Sequence, residues 1–422
     1  TRMLPRGTYD VQQEPGRTPA LIFSVPSTGL YAGREEDTVF FYGHLDKQPP
    51  ATGWSEGLGP FTPVVRDGKL YGRGCSDDGY SVYAALTAIR ALEDAGIPHP
   101  RAVGLIETRE ESGSNDLEHY LKKNAARFGS PRLVCVLDSG AGNYEQLWLT
   151  SSLRGACAID LNVRVLRQGM HSGTASGVVP SSFDVLRILL DRIQDPRTGA
   201  ILDPAFNVEI PSNRMDDLKK TAEVLGDGFI SEFPWAEGPN GSVQSRCRGT
   251  EEALIARCWK PTLSVTGAAG LPPLSMAGNS LRSDTTLRLS FRLPPTAKTE
   301  NILPALQKKL LTDPPFNAVV SIAGGDALPG WNAPSEADWF RSACDESSKA
   351  LWGKPAMRIG EGGSIPILNL FEAQFPRAQF AVTGVLGPGS NAHNADESLD
   401  LAYTEKFIAA VGYLAASIPE EA

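Results

Sequence analysis

The segment FYGHLDKQPP, from Phe41 to Pro50, sets a histidine and an aspartate two residues apart where an apolar run gives way to prolines. Side chains at i and i+2 of a strand share a face, so His44 and Asp46 can touch one another or a common object. Four more segments put metal-competent side chains at the end of an apolar run or in a turn: GRGCSDD with Asp77 and Asp78, ETREESGS with Glu110 and Glu111, VLDSG with Asp138, and NAHNADE with His393. Alone, each has an ordinary reading as a satisfied histidine, an Asp-Asp turn or a solvated Glu-Glu face. Their combination does not. Glu110 and Glu111 follow the apolar AVGLI and would leave a buried strand as two adjacent negative charges, and clustered carboxylates raise one another's pKa unless a cation neutralises them. Two histidines with several carboxylates and no cysteine form a nitrogen and oxygen ligand set suited to zinc, and also to manganese or cobalt. One ion would not use so many groups, so the expectation is two divalent metal ions per chain.

The elements that must position these residues follow from hydrophobic spacing. TVFFYGHL, RAVGLIET and RLVCVLDS are apolar runs of strand length, and SVYAALTAIRALEDAG carries Val82, Ala85, Leu86, Ile89 and Leu92 at helical spacing, with Gly96 as a stop. Strands alternating with helices predict an α/β layer with a mostly parallel sheet, whose functional residues gather at the carboxyl ends of strands. From about Ser152 the texture changes. ACAIDLNVRVL, LSVTG and TTLRLSFRL alternate like half-exposed strands, and PSSFDVLRILLDRI reads as a helix opened by Pro180. ALPGWNAPSEADWF is a candidate return linker, after which RSACDESSKALW, SIPILNLF and AQFAVTGV resume the first pattern. The expected organisation is a catalytic domain in two parts, 1–152 and 333–422, interrupted by an inserted α+β domain over 153–332.

Composition narrows the partners. The chain has 422 residues, 41% of them hydrophobic, and a formal net charge of −9, which disfavours nucleic acid as a partner. No apolar run approaches the ~20 residues that span a bilayer, so no membrane role is expected. Six scattered cysteines without a Cys-x-x-Cys pair fit buried thiols in a reducing compartment, which points to the cytoplasm. The opening TRMLPRG is compatible with an upstream segment, a signal peptide included, having been removed.

In order, the segments GHLDKQPP, LYGRGCSDD, EESGSNDLEHYL, VLDSG, GMHSG, FRLPP, GGSIPI and NAHNADE resemble the dinuclear zinc peptidases of the carnosinase, aminoacylase and glutamate carboxypeptidase family, and among them the carnosinase-like dipeptidases. The resemblance runs from about Phe40 to the end of the chain. It implies an α/β metallopeptidase catalytic domain with an inserted lid and dimerisation domain, and a homodimer formed through that insert. It implies that His44 and Asp138 bind one metal and His393 and Glu111 the other, with Asp77 bridging both. Asp46 would orient the His44 imidazole, the Asp77–Asp78 bond would be cis, and Glu110 would be the general base. The family gives His171 of GMHSG the role of oxyanion donor, reaching the partner subunit's site. Arg292 and Ser364 match positions that hold the substrate's terminal carboxylate, and Asn279 adds a polar contact.

The implied reaction is metal-dependent hydrolysis of a dipeptide or similar small amide. An aspartate at position 138 goes with dipeptidases and aminopeptidases in this family, where carboxypeptidases tend to carry glutamate. A non-peptide C–N hydrolase, such as an aminoacylase, a carbamoyl-amino-acid hydrolase or an aromatic-amine hydrolase, is the alternative on the same site. A catalytically dead scaffold would have lost a ligand or the base, and all are present. The chain departs from the family in carrying Gly79-Tyr80 after the paired aspartates in place of Lys-Gly, in lacking the proline after the Asn279 region, and in the segment FISEFPWAEGPNGSVQSRC, which has no counterpart.

Overall fold

The strand Asp37–His44 is buried along all but its first residue, and such a strand needs cover on both of its faces. A computed structural model, which describes residues 6–34, 37–365 and 367–419, shows how that cover is built. Pro366 of the GGSIPI segment and the outer ends of the expected first and last parts, 1–5 and 420–422, lie outside the described residues.

The chain forms two compact units. One comprises 1–151, 333–359 and 367–422, and the other 152–332 and 360–366. The core of the first unit is a six-stranded sheet in the order Thr8–Gln12, Ala20–Val25, Arg101–Glu107, Asp37–His44, Ser130–Val136, Gln379–Val382. The last four run parallel, and the first two add an antiparallel edge. Phe40, at the centre, packs its ring against Phe128, Phe371 and Phe375.

The helix Ser81–Asp94 buries Val82, Ala85, Ile89 and Leu92 as their spacing predicts, while Leu86 is only half-buried. It stops where Gly96 takes a left-handed φ of 68°. There the Gly96 and Ile97 amides donate to the Glu93 and Leu92 carbonyls, satisfying groups the helix end would otherwise orphan. A small antiparallel ladder, Ser398–Asp400 against Lys69–Tyr71 against Val64–Arg66, closes the unit beside the helix Leu401–Ala416.

The second unit is α+β. Its four antiparallel strands follow the order Thr262–Ala269, Asp284–Leu293, Gly155–Arg164, Val319–Leu328. Along Asp284–Leu293 alternate residues point inward, so Leu287, Leu289, Phe291 and Leu293 join Ile159, Leu161 and Val163 in one core. Val185, Leu186 and Leu189 of the helix Ser182–Asp191 complete it. That helix begins two residues after Pro180, which lies outside it: Ser181 is the cap, its hydroxyl accepting from the Phe183 amide. The expected return linker is also more ordered than its composition suggests, because Trp331, nearly fully buried, pairs across to Leu153 and the helix Asp338–Trp352 starts soon after. Among the described residues no helix is long and apolar enough to cross a membrane.

Candidate metal centre

All of the proposed ligands sit at carboxyl ends of parallel strands or in loops beside them, where open α/β sheets collect their chemistry. His44 is the last residue of its strand, Asp138 lies two residues beyond Ser130–Val136, and Glu110 and Glu111 form the short turn after Arg101–Glu107. Asp77 and Asp78 occupy the loop before Ser81–Asp94, joined by a cis peptide bond. His393 lies in the loop before Ser398–Asp400 with a left-handed φ of 65°.

These residues converge. Nε2 of His44 lies 3.1 Å from Oδ1 of Asp77 and 3.8 Å from Oδ2 of Asp138. Nε2 of His393 lies 2.7 Å from the other oxygen of Asp77 and 3.4 Å from Oε2 of Glu111. The result is two triads sharing Asp77, with the candidate ligand atoms of each within 4.8 Å of one another. His44 is fully buried, whereas the His393 side chain is 54% exposed, so one triad is deep and the other faces solvent.

Neighbouring groups hold the ligands. Asp78 accepts the backbone N–H of His44, an approach possible only because residue 43 is glycine: a Cβ there would meet Asp78 Oδ2 at 2.6 Å and the Ser81 hydroxyl at 2.1 Å. Asp46 touches more than the imidazole that the resemblance assigned to it. The His44 Nδ1 lies closest to the Asp46 carbonyl, at 3.1 Å, with the carboxylate at 3.4 Å. The two carboxylate oxygens also accept the backbone N–H groups of Glu110 and Glu111, at 3.1 and 3.0 Å. Both donors stand at the start of a turn that leaves them unpaired, and a carboxylate is the strongest acceptor available.

Three residues that sequence reasoning did not single out belong to this network. Gln48 donates to Glu111 Oε2 at 2.6 Å, and Glu107, buried beneath, accepts from the Tyr42 and Ser114 hydroxyls. Glu397 holds the loop that carries Asp77. All three lie within quoted motifs, but nothing in their spacing marks them. Lys47, also from GHLDKQPP, runs over Gly74 and Gly79; a Cβ on Gly79 would lie 2.5 Å from the Gly74 backbone oxygen and 3.1 Å from the Lys47 Nζ, and the first of these accounts locally for glycine after the paired aspartates.

The electrostatics fit a pair of cations. Burial and the nearby charge of Asp138 push Glu110 up to about 8, and burial, with Asp77 and Glu111 adding repulsion against an opposing His44, pushes Asp138 up to about 6. Burial raises Glu111 and holds Asp78 well above the usual carboxylate range. Oε1 of Glu111 and Oδ1 of Asp78 are buried without a hydrogen-bond partner among the described residues. Two imidazoles and three carboxylates, crowded and partly unsatisfied, match the donors that zinc, manganese or cobalt take.

The remaining candidates lie in the second unit, in two groups. His171 is exposed at the end of the short strand Met170–His171, opposite Ser280, and its Nδ1 accepts from the Gly173 amide. Asn279, also exposed, accepts the Ser172 amide through its carbonyl, so these two share one ribbon. Arg292 donates to the Ser364 hydroxyl at 3.2 Å, and that hydroxyl donates to the Arg154 carbonyl. Arg154 is buried beside Arg292 and Arg257, and burial, with their like charge, lowers its guanidinium to about 10. The segment without a counterpart folds locally, as a short ribbon of Glu237–Gly238 with Gly241–Ser242 that follows the edge-on rings of Phe229 and Phe233 and the tilted Trp235.

Comparison with known proteins gives the family and the fold. The profile of peptidase family M20/M25/M40 matches residues 40–418. The chain belongs to that family. It is 28% identical over 378 residues to the Cys-Gly metallodipeptidase dug1 of Schizosaccharomyces pombe, covering 86% of this chain and 76% of that one. It is 26% identical over 373 residues to the Beta-Ala-His dipeptidase of Mus musculus, covering 85% and 73%. Among solved structures it superposes on human carnosine dipeptidase 1 with a TM-score of 0.74 at 22% identity, covering 99% of this chain and 88% of that one. A dinuclear metal-binding peptidase of family M20 from Bacillus subtilis shares the fold with a TM-score of 0.55 at 9% identity, covering 97% and 87%. The α/β catalytic fold with an additional α+β unit is therefore that of the family, and the chain is a metallopeptidase-type hydrolase, as the ordered motifs implied.

Proposed function

We propose that this chain is a dinuclear metallodipeptidase, hydrolysing the amide bond of dipeptides or closely similar small amides. The observation that carries the reading is the pair of triads sharing Asp77, with Glu110 beside them. His44 and Asp138 would hold one divalent ion and His393 and Glu111 the other, with Asp77 shared and zinc the first choice over manganese or cobalt. Two such ions supply Lewis acidity, making a water more acidic and polarising the scissile carbonyl.

The chain's own residues do the rest. Glu110 takes the proton of the attacking water and returns it to the leaving amine. His171 donates to the developing oxyanion, from the insert of the partner subunit in a homodimer. Arg292, oriented by Ser364, grips the substrate's terminal carboxylate, with Asn279 adding a polar contact. In this reading residues 153–332 act as lid and dimerisation domain between the two parts of the catalytic domain. The six cysteines, all unpaired, support a reducing, cytoplasmic setting.

A panel of unmodified dipeptides, N-acyl amino acids, carbamoyl amino acids and aromatic amides, assayed side by side with zinc, manganese and cobalt, tests the substrate class. The reading expects turnover of dipeptides well above the rest. Turnover confined to the acylated or aromatic compounds would move the chain to the non-peptide C–N hydrolases.

A further inference from the structure

The carboxylate of Glu397 has the densest set of donors in the first unit's loops. Its side chain is fully buried. It accepts from Nη1 of Arg73 at 2.6 Å, from the Gly74, Ser76 and Asp77 amides at 2.9, 3.2 and 3.2 Å, and from the Ser76 hydroxyl at 3.2 Å. Its backbone carbonyl takes the Gly72 amide at 3.1 Å, and Arg73 reaches on through Nη2 to the Asn394 carbonyl. One acidic residue thus binds every position from 72 to 77 except Cys75 by a conventional hydrogen bond, and Cys75 points its thiol at the same carbonyl.

The topology explains why this matters for the metal centre. Strands Lys69–Tyr71 and Ser398–Asp400 pair antiparallel, with Tyr71 opposite Ser398. The chain leaving Tyr71 toward Asp77 and the chain arriving at Ser398 from His393 therefore depart from the same end of one ladder. Past that end no strand pairing remains, and the Glu397 side chain continues the connection. The segment it anchors needs such a hold: Asn391, His393 and Asp396 all adopt left-handed backbone, a conformation that persists only where surrounding contacts over-determine it. His44, by contrast, is fixed within the central sheet and by Asp78, so Glu397 reaches the deep triad only through the shared Asp77, whereas it reaches the other through both Asp77 and the segment carrying His393.

We propose that Glu397 is the positioning residue for the solvent-facing metal ion: it sets the separation of Asp77 and His393, and its charge is what makes that half of the site bind. The inference rests on the dinuclear reading above. It predicts an asymmetric defect, in which the ion of His393 and Glu111 is weakened more than the ion of His44 and Asp138, which depends on Glu397 only through Asp77. In Glu397→Gln the side chain keeps its size, but an amide NH₂ replaces one acceptor and faces donors. Orienting groups of this kind are worth 10- to 100-fold in metal affinity.

The test is manganese binding to the purified full chain, titrated without substrate, for wild type, Glu397→Gln and Leu414→Ala, the last a buried helix position that lowers stability away from the site. Expected are two ions for wild type and for Leu414→Ala, and for Glu397→Gln one ion weakened at least tenfold more than the other. The double variant Glu397→Gln with His393→Ala should keep the single ion that His393→Ala keeps. Wild-type binding of both ions by Glu397→Gln, equal weakening of both, or loss of all binding in the double variant would overturn the proposal. Should Glu397→Gln fail to fold, Ser76→Ala, which removes one donor to the carboxylate, decides: a selectively weaker second ion supports the role and unchanged binding refutes it. A wild-type chain that binds fewer than two ions would instead refute the dinuclear reading itself.

Discussion

Replacing Asp46 probes a side chain that faces the His44 ring and also two backbone amides the sequence did not reveal. Its carboxylate closes on the Glu110 and Glu111 amides at 3.1 and 3.0 Å and lies 3.4 Å from the His44 ring. Burial alone would raise this carboxyl, but the His44 ring and those two amides more than offset it and hold it below its usual value. Hydrogen bonds to a charged group contribute ~1.5–3 kcal/mol each. The Asp46 side chain is 20% exposed, so water can replace part of what is lost and the lower figure applies. Two such bonds then amount to about 3 kcal/mol, or roughly two orders of magnitude in an equilibrium constant. That energy holds the turn that presents base and ligand together.

Asp46→Ala should accordingly lower kcat/KM by about 100-fold and weaken the ion that Glu111 holds by 10- to 100-fold. Asp46→Asn should do little better, because an amide offers one acceptor oxygen and turns its NH₂ toward the second N–H. Steady-state kinetics on a cleaved dipeptide, with metal content measured on the same samples, reads both. An Asp46→Asn enzyme within twofold of wild type would show that the carboxylate does not clamp both amides.

Glu110→Gln should reduce kcat by ~10²–10⁴-fold while the metal content stays at the wild-type value; retained turnover would remove Glu110 from its role as base. Arg292→Lys should raise KM about tenfold for dipeptides and leave amidated dipeptides unaffected, since a lysine cannot reproduce a two-pronged carboxylate contact. His171→Ala should lose oxyanion stabilisation, ~10²–10³-fold in kcat, without changing KM greatly, and light scattering should report a dimer; a fully active strict monomer would refute a contribution in trans. Chelation should lower the midpoint of thermal unfolding reversibly. Restoring zinc to a hundredfold over its Kd should stabilise the fold by ~2.7 kcal/mol per site.

The parallel sheet was legible because its strands are short apolar runs buried on both faces, and the helix Ser81–Asp94 because its apolar residues recur at helical spacing. The ligand set could be read as chemistry before the fold, since carboxylates that follow buried strands need a counter-charge. What escaped was detail that depends on three-dimensional partners. No spacing rule shows that the Asp46 carboxylate, besides facing the imidazole, accepts from two backbone amides, or that Lys47 lies over Gly79. Glu397 looked like the last letter of a motif, and its donors come from residues 320 positions away. The return linker does carry the chain from the second unit to the first, after Asn332, but its prolines and small residues hide Trp331, whose burial and pairing with Leu153 order its first half.

The central claim is that two ions held by the paired triads drive amide hydrolysis. Metal reconstitution of chelator-treated enzyme, with bound ion and dipeptide turnover followed in the same titration, tests it most directly. The account predicts that activity appears as occupancy rises toward two ions per chain, and that a chain limited to one ion by His393→Ala stays inactive at every metal concentration that saturates it. Full dipeptidase activity at one ion per chain, or none with two ions bound, would contradict it.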